Sequence, residues 1–516
     1  MKLIPPDDTA VRVHIGIVIH SMDSGERGFR AWNTWAKPAV PDEKVRRAIW
    51  RSFRQVVGNP HGALRYYEKR GMHAALPTDE HDIVAYAHAV LNGRLRIAGE
   101  KFFVFGDQKG WRSDETAAAR ALLEIIKDLH DIAQRSEAHE AVRVLKKFLG
   151  FAKVKGMLAG FRAYSDLDVM DSDFDSKPEL LGVPSGGVVD LRTGEFRAAE
   201  KDDMVSLAVA VPYNVGAKCP KFLQFIRQIA KTREYQNYVQ TALGYLLIGH
   251  SNDQIAFFML GRGGNGKGTL TRAIQAVMGA GYSTTISTSF LRTANNGNGD
   301  KPTEALMKLK KVRAAFCTET EQRKGGINES FFKQVTGGDA LSGRHGHGEQ
   351  ENFTPPGKLM ISLNRMPDWA HKDDALWRRV VVLPFSRQFM GERVNTNLAT
   401  ELTEEAAGIL QWMIVGAQRY LEHGLGECPE VVEATKHARE RADTVQMWID
   451  AECVTGKHQS VQARESFEAY CAFADREQLQ ALDNRKFSVR LQALGFRHHR
   501  LKQFVEYEGI GLKPRI

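Results

Sequence analysis

The stretch Gln254-Ile-Ala-Phe-Phe-Met-Leu260, followed at once by Gly261-Arg-Gly-Gly-Asn-Gly-Lys-Gly-Thr269, decides how this chain is read. A short apolar run gives way to a glycine-rich loop, and Leu270 to Met278 then carries apolar residues at helical spacing. The pattern is strand, loop, helix. The glycines let successive backbone N–H groups turn toward one point, and the helix that follows adds the positive end of its dipole there. Lys267 is placed to reach the β and γ oxygens of a nucleoside triphosphate. ATP is therefore the expected ligand, cradled by Gly261, Gly263, Gly264, Asn265, Gly266, Lys267, Gly268 and Thr269. One position departs from the usual form. Gly268 follows the lysine where a Ser or Thr hydroxyl normally holds Mg²⁺, and Thr269 is the nearest hydroxyl.

Downstream, Val312-Arg-Ala-Ala-Phe-Cys-Thr-Glu319-Thr-Glu321 reads as an apolar strand ending in two acids. Carboxylates there, beside a phosphate loop, can hold Mg²⁺ and polarise an attacking water, so Glu319 and Glu321 share those roles, with Thr269 and Glu319 as metal ligands. Lys358-Leu-Met-Ile-Ser-Leu-Asn364 is a second such strand, whose terminal amide suits a γ-phosphate or the lytic water; an ordinary Asn would cap a turn. Arg378 and Arg379 precede the strand Val380-Val-Val-Leu-Pro384. An arginine supplied by a neighbouring subunit can stabilise the transferring phosphate, and an internal salt bridge is the plainer use of either one.

Composition frames this core. A length of 516 residues has room for about two to four domains. The net charge of +9 favours a polyanionic partner without proving one. Cys219, Cys317, Cys428, Cys453 and Cys471 are scattered without a Cys-x-x-Cys pair, which points away from a disulfide framework or a zinc site and toward a reducing compartment. No apolar run approaches the ~20 residues of a membrane span, and no leader is evident, so a soluble cytoplasmic protein is expected.

The organisation expected is α/β at the centre with helices around it. Residues 1–150 read as mainly helical, with Phe29, Trp32, Trp35, Trp50 and Phe53 as a core rather than a base-stacking surface. Residues 151–249 hold a small β element near 178–213 and then helices. Residues 250–390 alternate strand and helix as a parallel-sheet ATPase core. Residues 391–454 are helical, and residues 455–516 suggest a winged helix. The alternating Asp166, Asp168, Asp171, Asp173 and Asp175 read as a solvated charge run in a loop.

Taken together, these residues resemble superfamily three helicases, and specifically the helicase half of phage and plasmid primase-helicases. The ordered matches are the loop at 261–267, Glu319-Thr-Glu321, Phe332-Lys-Gln-Val-Thr-Gly-Gly-Asp339, Leu363-Asn364 with Pro367, and Trp377-Arg-Arg379 before Pro384-Phe385. Upstream, Gly186-Gly-Val-Val-Asp-Leu191, Cys219-Pro220 and Gly244-Tyr-Leu-Leu-Ile-Gly249 resemble the domain that precedes the motor in that family, and Gly28 to Phe53 the helical domain that follows the polymerising unit of such primases. The resemblance implies a P-loop, AAA+-like ATPase that uses ATP and Mg²⁺. It further implies a homo-oligomeric ring, a hexamer, moving 3′ to 5′ on single-stranded DNA at replication forks or origin DNA in a bacterial cytoplasm. The segment after Thr336-Gly-Gly-Asp339 would form a pore hairpin, with Lys333, Arg344, His345 and His347 contacting DNA phosphates.

No carboxylate set for nucleotidyl transfer precedes the tryptophan-rich segment, so the expectation is a helicase served by a separate primase and polymerase. Two rival readings stand. One is an initiator that binds origin DNA through Lys486, Arg490, Arg497, Arg500 and Lys502 and uses ATP as an assembly switch. The other is a small-molecule kinase, which the length of the chain and the want of an apparent substrate lid disfavour.

Overall fold

The computed structural model describes residues 9–22, 26–36, 43, 46–47, 50, 76–77, 79–91, 93–106, 110–135, 138–287, 304–318, 328–344, 350–355, 357–366, 374–389, 395–477, 479, 481–500 and 505–514. The chain divides into two compact units. One comprises Met1–Ser176, Ser185–Val188 and Arg197–Leu207; the other comprises Lys177–Pro184, Val189–Phe196 and Ala208–Ile516.

In the first unit, amphipathic helices Glu26–Ala36, Glu80–Leu91 and Glu115–Arg135 turn their apolar faces inward. Phe29, Trp32 and Trp50 meet in one cluster of the core, with Trp50 5.9 Å from each of the other two rings; Trp35 packs half-buried against it, and Phe53 lies outside the described residues. Between the helices lies a three-stranded antiparallel sheet that the mainly helical reading of 1–150 did not include: β1 (Leu95–Ala98), β2 (Lys101–Gly106) and β3 (Gly110–Ser113). Its aromatic face, Phe103, Phe105 and Trp111, packs on Phe174. The acidic run beyond it is tied into local structure rather than simply solvated. Asp175 accepts from Ser206 N and Leu207 N, Asp173 accepts from Met170 N, and Asp166 lies 2.9 Å from His88 Nε2.

Short strands β4 (Leu180–Val183), β5 (Gly187–Asp190) and β6 (Phe196–Ala198) follow in the chain. The second unit is built on a five-stranded sheet of β7 (Ala256–Leu260), β8 (Ser283–Ser287), β9 (Ala314–Thr318), β12 (Lys358–Leu363) and β13 (Val380–Pro384). Their order is β13-β7-β12-β9-β8, and every pair is parallel. The central strands are mainly apolar, as burial on both faces demands, whereas the edge strand Ser283–Ser287 is mostly polar. Two further strands, β10 (Leu341–Gly343) and β11 (Glu351–Phe353), pair as an antiparallel hairpin.

The helix Arg233–Tyr245 crosses Ala406–His423 at glycines. A Cβ on Gly244 would lie 2.1 Å from Ala417 N, and one on Gly416 2.0 Å from Gln240 O, so backbone rests on backbone there. The tail closes a separate core. Strands β14 (Cys453–Gln462), β15 (Arg497–Arg500) and β16 (Val505–Leu512) form an antiparallel sheet in the order β14-β16-β15, with helices Ala463–Arg476 and Asn484–Ala493. The preceding helix Thr444–Glu452 adds Trp448 and Ile449 to this core, so the tail's packing begins ahead of residue 455.

Candidate functional site

The strand register brings the residues singled out by sequence to one edge of the parallel sheet. Leu260 and Leu363 are partners across β7 and β12, and Leu260 also pairs with Pro384 of β13. The glycine loop, Asn364 and Phe385 therefore all leave the sheet side by side at the carboxyl ends of its strands, where ligands of open α/β sheets sit. Because β12 lies between β7 and β9, Asn364 stands between the loop and the end of the Glu319 strand. Glu319 and Glu321 themselves lie outside the described residues.

Left-handed backbone shapes the loop. Gly264 (φ 73°) and Gly266 (φ 87°) adopt conformations that side chains disfavour, and Gly266 is the residue from which the helix Lys267–Tyr282 starts. A Cβ on Gly261 would lie 2.0 Å from Asn265 Nδ2 and 2.3 Å from Phe385 O. That crowding reflects a tie: buried Asn265 donates from Nδ2 to Phe385 O (2.9 Å) and accepts at Oδ1 from Lys267 Nζ (2.9 Å). Lys267, 8% exposed, also donates to Gly261 O (2.5 Å) and to Asn364 Oδ1 (3.2 Å). A mostly buried ammonium is thus steered over the loop by two carboxamides and by the loop's own carbonyl. Gly268 is open: a Cβ there would meet nothing within 4 Å, so packing does not exclude a hydroxyl side chain at that position.

Beside the loop opens a cavity of about 410 Å³, lined by Gly264, Gly266 and Thr269 on one side and by Phe225, Gln228 and Phe389 on others. The helix Pro220–Ile229 supplies Phe225, whose ring would lie 2.9 Å from a Cβ on Gly266, and the Leu398–Glu404 helix closes the far wall. These walls escaped the sequence reading. The available signal was Pro220 at the first turn of an amphipathic helix after Cys219.

The two arginines separate. Arg379, 9% exposed, donates to Ala375 O (2.6 Å) and reaches Gln254 Oε1 (3.5 Å), so it is committed within its own chain. Arg378 is exposed. The hairpin expected after Asp339 is present as β10 and β11, with Ser342 opposite Asn352. Arg344 leaves its first strand half-buried, and Lys333 is half-buried on the helix Glu329–Gly337. His345 and His347 lie outside the described residues. In the tail, Arg490 is taken up by Asp443 at 2.6 Å, and Lys502 lies outside the described residues. Among the described residues, no helix is long and apolar enough to cross a membrane.

A family model described as D5 N terminal like matches residues 85–231. The chain is 26% identical over 299 residues to a putative helicase, L207/L206, of Acanthamoeba polyphaga mimivirus, covering 54% of this chain and 31% of that protein. It is 24% identical over 321 residues to putative helicase 121R of Invertebrate iridescent virus 3, covering 60% of this chain and 33% of that protein. The chain thus spans about a third of the length of the curated relatives it matches. A putative primase, C962R of African swine fever virus, matches at 24% identity over 213 residues, 40% of this chain and 22% of its own. The domain match and these viral relatives agree with the ordered motifs and support the resemblance to superfamily three helicase-primases of the D5-like kind.

Proposed function

We propose that the second unit is a P-loop, AAA+-like ATPase that drives movement along single-stranded DNA as a ring, serving replication of a phage, plasmid or other mobile element. The observation that carries this reading is Lys267 Nζ held between Asn265 Oδ1 and Asn364 Oδ1 above a loop with two left-handed glycines. Successive N–H groups and a steered ammonium suit a triphosphate, and the adjoining cavity has room for a base and sugar. In this reading Thr269 and Glu319 would hold Mg²⁺, which would neutralise phosphate charge, and Glu319 with Glu321 would polarise the attacking water. Asn364, already bonded to Lys267, is placed to orient that water or the γ-phosphate.

The exposure of Arg378 and the internal bonding of Arg379 favour Arg378 as the residue offered to a neighbouring subunit's phosphate. Arg379 then holds the strand and helix ends that present it. The hairpin would carry Arg344, His345 and His347 toward DNA phosphates, with Lys333 behind it, and priming and polymerisation would fall to separate proteins. The helicase names of the viral relatives support a replicative role of this kind. A second reading, an ATP-switched initiator bound to origin DNA, draws support from exposed Arg485 and Lys486 on the tail helix Asn484–Ala493. Hydrolysis measured with and without single-stranded DNA separates the two. Stimulation is expected of the motor, and a flat response with tight duplex binding would favour the switch.

A further inference from the structure

One described segment of the first unit is strongly and uniformly basic. Residues 141–163 carry Arg143, Lys146, Lys147, Lys153, Lys155 and Arg162 and no carboxylate, a local charge of +6 where the whole chain has +9. The helix His139–Leu145, the turn Lys146–Phe148 and the helix Phe151–Met157 bury Ala141, Leu145, Val154 and Met157 in the unit's core. What they leave outside is cationic: Arg143, Lys146, Lys147 and Lys153 are all exposed. Lys155 and Arg162, at the margin, are matched by Glu115 (3.5 Å) and Glu100 (3.2 Å). Among the described residues, no carboxylate pairs with the four between them. An ordinary solvated face would intersperse acids; this one does not.

Aromatic rings stand within the same surface. Phe151 is 41% exposed, an uncommon cost for a phenyl ring at the first turn of a helix that buries Val154 and Met157. Lys153 Nζ lies 5.8 Å over the half-buried ring of Phe148. Cations that follow a backbone, with an exposed ring between them, suit a single strand: its phosphates meet the charges and an unpaired base stacks on the ring. A duplex offers the charges but no free base face.

We propose that this face of the first unit, Arg143, Lys146, Lys147 and Lys153 around Phe151, is a binding site for single-stranded nucleic acid. It is distinct from the glycine loop and from the hairpin, and it stands whether or not the motor reading holds. Such a site would keep hold of the strand through steps in which the nucleotide-dependent contacts are released.

The test uses the full chain and a labelled oligothymidylate, titrated across a range of salt. Replacing Arg143, Lys146, Lys147 and Lys153 together by alanine should make the slope of log affinity against log salt shallower by about 2 to 3, since each phosphate contact on a single strand contributes ~0.7. Phe151→Ala should weaken binding about tenfold with the slope unchanged. Lys267→Ala should bind the same oligonucleotide as the wild type does, so loss of hydrolysis and loss of this site are separately visible. Thermal unfolding of each variant keeps a misfolded protein from being read as a result. Wild-type affinity and slope in the quadruple variant would overturn the proposal. So would an equal loss of affinity for a blunt-ended duplex titrated in parallel, with Phe151→Ala neutral on both.

Discussion

Gly268 and Lys358 each carry a prediction at the scale of a single residue. Gly268 stands where the usual loop has a hydroxyl, yet a side chain there would meet no neighbour. Gly268→Ser should therefore fold at least as stably as the wild type, because serine costs a helix less than glycine does. If Mg²⁺ is held from this end of the loop, the variant should also reach half-maximal hydrolysis at lower Mg²⁺, and an unchanged Mg²⁺ dependence would place the ion on the acids alone. Lys358 is fully buried, donating to Ile248 O and to His250 O (3.0 Å), which follow the helix Arg233–Tyr245. Arg313, buried nearby, donates to Leu247 O and to Leu180 O (2.7 Å). Burial, and then the Arg313 guanidinium, hold the Lys358 ammonium well below its ordinary value of 10.5. The folded chain consequently binds fewer protons at this site than the unfolded one, so stability rises with pH between the lowered value and 10.5. Lys358→Met should cost about 1–3 kcal/mol at neutral pH by orphaning two buried carbonyls, and the gap to the wild type should widen as pH is raised. Urea titrations at several pH values check this, and a constant gap would contradict it.

Among the elements, the crossing of Arg233–Tyr245 with Ala406–His423 is the least forgiving. Gly416→Ala puts a methyl 2.0 Å from Gln240 O, against backbone that cannot move aside cheaply, and should destabilise by about 1–3 kcal/mol or more. Gly150→Ala, with open space around it, should stay within about 0.5 kcal/mol, and similar melting temperatures for the two variants would refute the packing account. Which elements were legible follows the same physics. The strands β7, β9 and β12 announce themselves as mainly apolar runs because a parallel sheet is buried on both faces, and the helix after the loop is broken at Gly279, where φ is 65°. The sheet β1 to β3 lay hidden among helices, for its strands are only four to six residues long and fall between segments with clear helical spacing. At the candidate site, sequence pattern placed Lys267 in the loop and Asn364 at a strand end, and the fold brings the two into hydrogen-bond contact. The tie from Asn265 to Phe385 O spans 120 residues of chain and exists only once β13 pairs with β7.

For the molecule as a whole, the proposed ring makes the two arginines unequal. Arg378→Ala should leave nucleotide binding near wild type and remove most hydrolysis, and mixing it with Lys267→Ala should restore part of the activity at shared interfaces. Arg379→Ala should instead lower stability, since it breaks bonds to Ala375 O and Gln254 within one chain, and mixing should rescue nothing. The α/β class and its parallel sheet were readable because they rest on local patterns repeated in order along the chain. The different surroundings of the neighbouring Arg378 and Arg379 were not, because adjacent residues of one type differ only in the direction the fold gives them. The most direct test of the central claim is the rate of ATP hydrolysis by the full chain as single-stranded DNA is added, measured beside Lys267→Ala. Hydrolysis that rises with DNA in the wild type and is absent in Lys267→Ala is predicted. Hydrolysis retained by Lys267→Ala would contradict the assignment of the loop, and with it the account of the second unit as a motor.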